Sequence, residues 1–303
     1  MHNATLLPAL AYFVDNFDPV ILHIYGPLSI RWYGVAYLLG FILGYILWLR
    51  AVKTGRASLT REQMEELLTW AIGGVLVGGR LGYMLLYDFG NFIHNPLIIF
   101  QIYEGGMSFH GGLAGVILAI LIVAWKNKLP LWEVGDLCAM ATPIGLLFGR
   151  LANFVNGELW GKITNVPWAM IFPNAPYDPA EPTVSYDAGL AICNANLRHP
   201  SQLYEAFFEG IVLGAVMLIL YWSGKKGAAK KYPGLMSGLF LVIYAAARIF
   251  CELFREPDAS LILGLSRGTF YSLIIAAVGI AMAIYAVTRS HAKNAAPDTE
   301  SKK

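Results

Sequence analysis

The amino-acid sequence predicts an all-α protein, a polytopic membrane helix bundle with about seven transmembrane helices and a small extracytoplasmic head. Two observations lead to this fold class. First, 57% of the 303 residues are hydrophobic and only 14% are charged, whereas soluble domains carry about 25% charged residues. Second, the apolar residues are gathered in repeated runs that are long enough to cross a bilayer, which takes about 20 residues per helix.

Seven such runs divide the chain. Their predicted limits are 30–49, 67–87, 107–125, 136–156, 202–222, 234–254 and 269–288. Within several runs, small residues recur four positions apart, as at Gly74, Gly78 and Gly82 and again at Gly111 and Gly115. Because this spacing lets helix backbones approach closely in lipid, we expect a compact bundle.

The basic residues predict the orientation. Of the 22 lysines and arginines, fourteen lie in the loops on one side or in the C-terminal tail, and four lie in the loops on the other side. Since cytoplasmic loops are rich in Lys and Arg, we expect an extracytoplasmic N-terminus and a cytoplasmic C-terminus. This divides the chain into an extracytoplasmic N-terminal segment (1–29), a membrane domain (30–288) with its head at about 157–199, and a cytoplasmic tail (289–303). The N-terminus lacks a basic region and a clear cleavage site, so we keep it in the mature protein.

Composition also excludes several functions. A net charge of +2 without a long basic run argues against a nucleic-acid partner. The three cysteines (Cys138, Cys193 and Cys251) have neither metal-ligand nor C-x-x-C spacing. We therefore expect no disulfide framework, no metal site and no cofactor.

Three arginines interrupt the hydrophobic runs. Arg80, Arg150 and Arg248 lie in the second, fourth and sixth runs, which all cross from inside to outside. Their positions place them about 20 Å along each helix, in the outer half of the bilayer. One buried arginine costs about 2.5–3.5 kcal/mol on insertion scales, so three at one depth indicate a functional site. A structural alternative is that they pair with nearby acids, namely Glu205, Glu209 and Glu252.

Other polar groups gather at the same depth. His110 lies in a glycine-rich segment, 105–112, that opens the third run, and a helix N-terminus of this kind attracts anions. Arg150, Asn153 and Gly157 recur on one helical face. The segments 32–34 and 198–205 reach the same layer. In the headgroup zone of the outer leaflet, the natural ligand for this set is the phosphate of a phospholipid.

These segments resemble the signature blocks of the prolipoprotein diacylglyceryltransferases, the membrane enzymes that open the bacterial lipoprotein pathway. Four blocks carry the resemblance in order: 104–112 (EGGMSFHGG), 149–161 (GRLANFVNGELWG), 198–205 (RHPSQLYE), and Tyr244 through Arg248 to Glu252. The resemblance extends from about Ile30 to Ala286. It is weakest in the head, between Pro167 and Asn196.

The resemblance implies a reaction in the bacterial cytoplasmic (inner) membrane. Such enzymes transfer the sn-1,2-diacylglyceryl group of phosphatidylglycerol to the lipobox cysteine of a prolipoprotein signal peptide. A thioether forms and glycerol phosphate is released. The implied partners are therefore phosphatidylglycerol, the prolipoprotein and membrane lipids. Because the reacting thiol belongs to the substrate, the cysteines of this chain need no catalytic setting.

The chemistry suggests roles for individual residues. Arg150 and Arg248 are expected to hold the departing phosphate, since a guanidinium binds phosphate oxygens with two parallel hydrogen bonds. His110 is a candidate base for the thiol, although the arginines alone could lower the thiol pKa. Besides Arg150, the positions that match family residues linked to activity or substrate binding are Tyr33, Asn153, Asn156, Glu158, Gly161, Tyr244 and Glu252. Four further residues form a second tier of candidates: Arg80, His199, Gln202 and Glu205. Structural or gating roles are expected for Arg80 and His199.

The residues alone are also compatible with two other functions. Intramembrane arginines also line the pathways of transporters and lipid flippases. The chain shows no internal repeat, and its polar residues stop at the outer halves of the runs, which favours an enzyme that opens to one leaflet. Only the four blocks argue against a different phosphatidylglycerol-dependent transferase.

Overall fold

A computed structural model describes residues 12–26, 28–101, 105–189, 192–223, 230–257 and 259–295. Within these ranges, seven helices are long and apolar enough to cross a membrane, which confirms the predicted multi-pass bundle. The helices are α1 (Trp32–Lys53), α2 (Arg61–Leu86), α3 (Phe89–His94), α4 (Phe109–Lys126), α5 (Leu131–Val155), α6 (Ser201–Trp222), α7 (Leu235–Glu252) and α8 (Arg267–Ala295). The short helix α3 follows the second span and is itself followed by a 3₁₀ turn (Pro96–Phe100).

The start of α2 shows why a span can begin outside its apolar run. Thr60 Oγ1 accepts a hydrogen bond from the Gln63 backbone N–H at 3.3 Å, and Gln63 Oε1 accepts one from the Thr60 N–H at 2.9 Å. This reciprocal capping box satisfies two amide groups that would otherwise lack partners. The helix therefore starts at Arg61, before the predicted limit of 67, because its first turn is polar.

The predicted glycine pairs bring α2 and α4 into backbone contact. A methyl group added to Gly74 would lie 2.5 Å from the carbonyl oxygen of Gly115, and one added to Gly111 would lie 2.2 Å from that of Gly78. A similar contact joins α7 to α8, where a methyl on Gly238 would lie 2.8 Å from the carbonyl oxygen of Gly279. The helices can approach this closely because no side chain separates them.

The largest hydrophobic core lies toward the N-terminal half of α5 and includes Trp48, Leu137 and Met217. Hydrogen bonds join neighbouring helices in this region. Trp48 Nε1 donates to the Leu137 carbonyl at 3.0 Å. The buried Asp136 accepts hydrogen bonds from the backbone N–H groups of Gly234 and Ser237, both at 2.7 Å. Asp136 on α5 thus caps the start of α7 from a neighbouring helix.

The head contains a four-stranded sheet in the order β1-β4-β6-β5. Its strands are β1 (Phe13–Val14), β4 (Met170–Ile171), β5 (Thr183–Asp187) and β6 (Ile192–Arg198), and a separate hairpin of β2 (Val20–Tyr25) and β3 (Leu28–Arg31) leads into α1. A strand from the N-terminal segment therefore completes the sheet of the head. Because β6 ends at Arg198, three residues before α6 begins, the sheet lies next to the N-terminal end of α6.

Candidate active site

Arg150 on α5 and Arg248 on α7 meet at two glutamates of α6. Arg150 Nη1 lies 3.1 Å from Glu205 Oε2, and Arg150 Nη2 lies 3.0 Å from Glu209 Oε2. Arg248 Nη1 binds Glu205 Oε1 and lies 3.5 Å from Glu209 Oε1. Both glutamate side chains are fully buried. Three spanning helices are therefore joined by one ionic cluster, and the acids named in the structural alternative do pair with these arginines.

The local geometry of α6 contributes to this arrangement. Residues Ala206–Val212 form a π-helical segment between two α-helical stretches, an irregularity that is frequent at functional sites. Within it, Gly210 packs against α5, where an added methyl would lie 2.7 Å from Leu147 Cβ. The close approach of α6 to α5 brings Glu205 and Glu209 within reach of Arg150.

The cluster continues along α7 and just beyond it. Arg248 Nη2 lies 2.5 Å from Glu252 Oε1, and Arg255 Nη1 lies 3.0 Å from Glu205 Oε1. Sequence reasoning counted Arg255 only as a loop cation. No helical spacing indicated it, because α7 ends at Glu252 and Arg255 lies in the segment that follows. With three arginines and three glutamates, the cluster is formally neutral.

Asn153, Asn156 and Glu158 form a second, adjoining network. Glu158 Oε1 accepts hydrogen bonds from Asn153 Nδ2 at 2.8 Å and from Asn156 Nδ2 at 3.3 Å. Asn153 Nδ2 also lies 3.5 Å from the hydroxyl oxygen of Tyr33 on α1. One carboxylate thus orients two amides, and the network extends from the end of α5 to the start of α1.

Gly161 lies where no side chain would fit. A methyl group at this position would approach the carbonyl oxygens of His199 and Phe254 to 2.5 and 2.6 Å. Its N–H donates to the His199 carbonyl at 2.9 Å, and its own carbonyl accepts from Arg198 Nη1 at 3.1 Å. Gly161 therefore joins the signature loop to the segment that precedes α6.

His199 packs at the junction of the head and the bundle. Its Nδ1 lies 3.1 Å from the Tyr204 hydroxyl, and its ring meets the ring of Phe254 edge-on at 5.2 Å. Burial, together with the nearby charge of Lys162, lowers the pKa of His199. The structural or gating role expected for His199 stays a prediction.

Arg80 lies apart from the other two arginines. Its guanidinium donates to the carbonyls of Ile98, Ile99, Gly105 and Gly106, and no ion pair of Arg80 occurs among the residues that the structure describes. It borders a cavity of about 400 Å³ lined also by side chains of α2 and α3. Arg80 therefore holds the backbone of Gly105 and Gly106, shortly before α4 begins.

Among the residues that the structure describes, His110 and Tyr244 make no hydrogen bond to the ionic cluster. His110 is exposed on the first turn of α4, where its ring meets that of Phe109 edge-on at 5.7 Å. Tyr244 lies one turn before Arg248 on α7, and its ring stacks on Phe240 at 6.0 Å. Glu104, which begins the first signature block, lies outside the described residues.

Comparison with known proteins identifies the family. Residues 19–285 match the family model described as prolipoprotein diacylglyceryl transferase. A Rhizobium meliloti protein is 44% identical over 97% of this chain and 98% of its own length, and one from Idiomarina loihiensis is 46% identical over 89% and 93%. A Pseudoalteromonas translucida protein is 44% identical over 92% and 96%. All three are named phosphatidylglycerol–prolipoprotein diacylglyceryl transferase. The chain belongs to the prolipoprotein diacylglyceryl transferase family.

Proposed function

We propose that this membrane protein transfers the sn-1,2-diacylglyceryl group of phosphatidylglycerol to the lipobox cysteine of prolipoproteins. The transfer forms a thioether and releases glycerol phosphate. Family membership over residues 19–285 supports this activity. The observation that supports the site is the pairing of Arg150 and Arg248 through Glu205 and Glu209.

The reaction places negative charge on a departing phosphate. The thiolate sulfur attacks the terminal glycerol carbon of the diacylglyceryl group, and the electrons of the broken carbon–oxygen bond pass to the phosphate oxygen. Each guanidinium carries five N–H donors, and the contacts to the glutamates leave N–H groups of Arg150 and Arg248 for a ligand. Fixed cations in a site with little water are well suited to stabilise this charge.

The buried glutamates prepare the arginines for this role. Ion pairs hold both guanidinium planes in place before any ligand arrives, so they need not reorganise when the phosphate leaves. They also keep the cluster neutral in the absence of lipid, which lowers the cost of burying three arginines. Glu205 thus acts here as a positioning residue, as does Glu252, which binds Arg248 Nη2.

The remaining residues bind and enclose the substrates in this proposal. Tyr33, Asn153 and Asn156 offer a hydroxyl and two amides, and Glu158 orients the amides. Tyr244 lies one helical turn from Arg248. Gly161 permits the tight loop that lies next to these residues. Glycerol hydroxyls and ester carbonyls of the lipid headgroup region are suitable partners for these donors and acceptors.

The thiol must lose its proton before it attacks, because the thiolate is the nucleophile. His110 is the proposed base. The alternative is that the field of the arginines lowers the pKa of the substrate thiol without a base. In either case the proton can end on the released phosphate, which balances the reaction.

We place the site at the extracytoplasmic side of the bacterial cytoplasmic membrane. The excess of lysine and arginine in the opposite loops supports an extracytoplasmic N-terminus and a cytoplasmic C-terminus. The head and the outer ends of α5 and α7 would then share the leaflet in which signal peptides emerge.

The decisive experiment supplies the purified protein with phosphatidylglycerol and a peptide that contains a lipobox cysteine. We expect the diacylglyceryl mass on the peptide and release of glycerol phosphate. A peptide with serine in place of the cysteine is the matched control and should stay unmodified. Absence of the adduct with folded protein would refute the proposed activity, and lipid movement between leaflets without an adduct would indicate a flippase.

A further inference from the structure

A strained turn lies inside the candidate active site. Leu159 has a φ of 61°, one of three positive values for non-glycine residues in the described ranges. L-amino acids other than glycine, asparagine and aspartate rarely adopt this left-handed conformation. Gly157, two residues earlier, also has a positive φ of 60°. Strain of this kind persists only where surrounding contacts enforce it, and it concentrates at functional sites.

The contacts that enforce the turn come from the first two residues of α6. Gln202 Nε2 donates to the Glu158 carbonyl at 2.7 Å, and Ser201 Oγ donates to the Leu159 carbonyl at 2.9 Å. Both side chains are fully buried. The partner of Gln202 is a carbonyl oxygen, so the amide nitrogen must face it.

The turn determines where the Glu158 carboxylate lies. Glu158 follows Gly157 and precedes Leu159, so its side chain is set by the strained backbone on both sides. That carboxylate accepts from Asn153 at 2.8 Å and Asn156 at 3.3 Å. A backbone that relaxed at Leu159 would move the carboxylate away from both amides.

We infer that Ser201 and Gln202 are positioning residues for Glu158, and through it for Asn153 and Asn156. They do so by holding the Glu158–Leu159 backbone in its left-handed turn. The inference rests on the proposed function, because it assigns these amides to substrate binding. It also gives the first turns of α6 two tasks, since Glu205, three residues after Gln202, binds the arginines.

One side-chain atom of Gln202 is compatible with a different role. Its Oε1 is buried and has no hydrogen-bond partner among the described residues. A substrate N–H or O–H could bind it directly. The two roles differ in one respect, because a positioning role depends on the strain at Leu159 and a direct substrate contact does not.

The test is therefore a double-mutant cycle between positions 202 and 159. We expect Gln202→Ala to lower kcat/KM for phosphatidylglycerol by about tenfold, mainly through KM, because a buried hydrogen bond and the orientation that it sets are lost. Glycine tolerates the left-handed turn without strain. In the Leu159→Gly background, Gln202→Ala should accordingly cost only about twofold.

Ser201→Ala should follow the same pattern with a smaller effect. Gln63→Ala is the matched control, because it removes a side-chain hydrogen bond to backbone at the other end of the bundle and should leave kcat/KM unchanged. An equal loss from Gln202→Ala in both backgrounds would overturn the positioning role and assign Gln202 to the substrate.

A second measurement does not depend on activity. Gln202→Ala should lower the melting temperature more in the wild-type background than in the Leu159→Gly background. Equal shifts would contradict the inference even if no transfer were detected. If the wild-type protein transferred no diacylglyceryl group while the melting temperatures showed coupling, the proposed function would fail and the structural role of Gln202 would stand.

Discussion

Arg150 and Arg248, on two different helices, bind opposite oxygens of the same Glu205 carboxylate. Arg150 Nη1 lies 3.1 Å from Oε2, and Arg248 Nη1 binds Oε1. Two cations that would otherwise repel each other are thereby held next to one another in a membrane bundle. This shared carboxylate makes the two arginines one site rather than two isolated charges.

The first prediction concerns the paired arginines. Arg150→Lys and Arg248→Lys should each lower the transfer rate by about 10²–10³-fold, because lysine keeps the charge but lacks the planar fork that binds phosphate. Initial rates with phosphatidylglycerol and lipobox peptide test this, with melting temperatures to confirm folding. Arg267→Lys, at an exposed arginine that binds Ser260, should retain full activity. Near-normal rates in either α5 or α7 variant would contradict the phosphate role.

The second prediction concerns stability. Glu205→Gln should destabilise the protein by about 3–5 kcal/mol, because it leaves buried arginines without their shared counter-charge. Thermal unfolding in one detergent would measure the change. The matched control is Glu65→Gln, which removes an exposed pair with Arg61 and should leave the melting temperature nearly unchanged. Similar effects of the two variants would show that the buried cluster does not stabilise the bundle.

The third prediction compares neighbouring glycines on α2. Gly74→Ala places a methyl 2.5 Å from the carbonyl oxygen of Gly115, whereas Gly73→Ala places one where nothing lies within 4 Å. We expect Gly74→Ala to cost about 1–3 kcal/mol through overpacking, and Gly73→Ala to be neutral or slightly stabilising. Melting temperatures of the two variants provide the measurement. If both melted alike, the close contact between α2 and α4 would be wrong.

The fourth prediction follows from a buried carboxyl group in the head. Asp15 is 4% exposed, and neither of its oxygens has a hydrogen-bond partner among the described residues. Burial raises the pKa of Asp15 from 3.8 to about 6. A raised carboxyl pKa means that the folded state binds the proton more tightly, so stability is greatest below pH 3.8 and declines as the pH rises toward 6.

Asp15→Asn removes this penalty and should therefore raise the melting temperature at pH 8. The gain should shrink as the pH falls below about 6 and vanish near pH 4. Asp18→Asn, at an exposed aspartate that accepts from the Val20 N–H, is the control and should show no such gain. A constant difference between Asp15→Asn and wild type at every pH would exclude titration of Asp15.

The fifth prediction concerns the proposed base. His110→Gln should lower kcat by about 10²–10⁴-fold and change the pH dependence of the rate, because glutamine cannot accept the thiol proton. The measurement is a pH–rate profile beside that of wild type. His94→Gln, at an exposed histidine bonded within its own helix, should leave the profile unchanged. An unaltered rate and profile in His110→Gln would exclude His110 as the proton acceptor and favour the arginine field.

Much of this protein could be predicted from local patterns in the sequence. The seven spans follow from hydropathy because a helix in lipid must satisfy its backbone internally, and the structure confirms them. The four signature blocks identified the family, which the comparisons confirm. The glycines four apart indicated a compact bundle, although not which helices would meet.

Other features depended on long-range contacts. Arg80, Arg150 and Arg248 looked equivalent by depth, yet Arg80 binds backbone carbonyls while the others share glutamates. Spacing along a helix gives depth, but it does not say which neighbouring helix each side chain meets. Arg255 lies in the loop after α7, as predicted, but its ion pair with Glu205 on α6 depends on how the helices pack.

The sequence by itself therefore determined the membrane bundle and its family, because these depend on hydrophobic length and local pattern. The depth of the arginines in the membrane stays a prediction. Only the tertiary structure decided which arginines form one site. It also revealed that Phe13–Val14 completes the head sheet and that Ser201 and Gln202 donate to the backbone carbonyls of Leu159 and Glu158. These features join residues far apart in the chain, and such pairings are set by packing of the whole bundle rather than by any local preference.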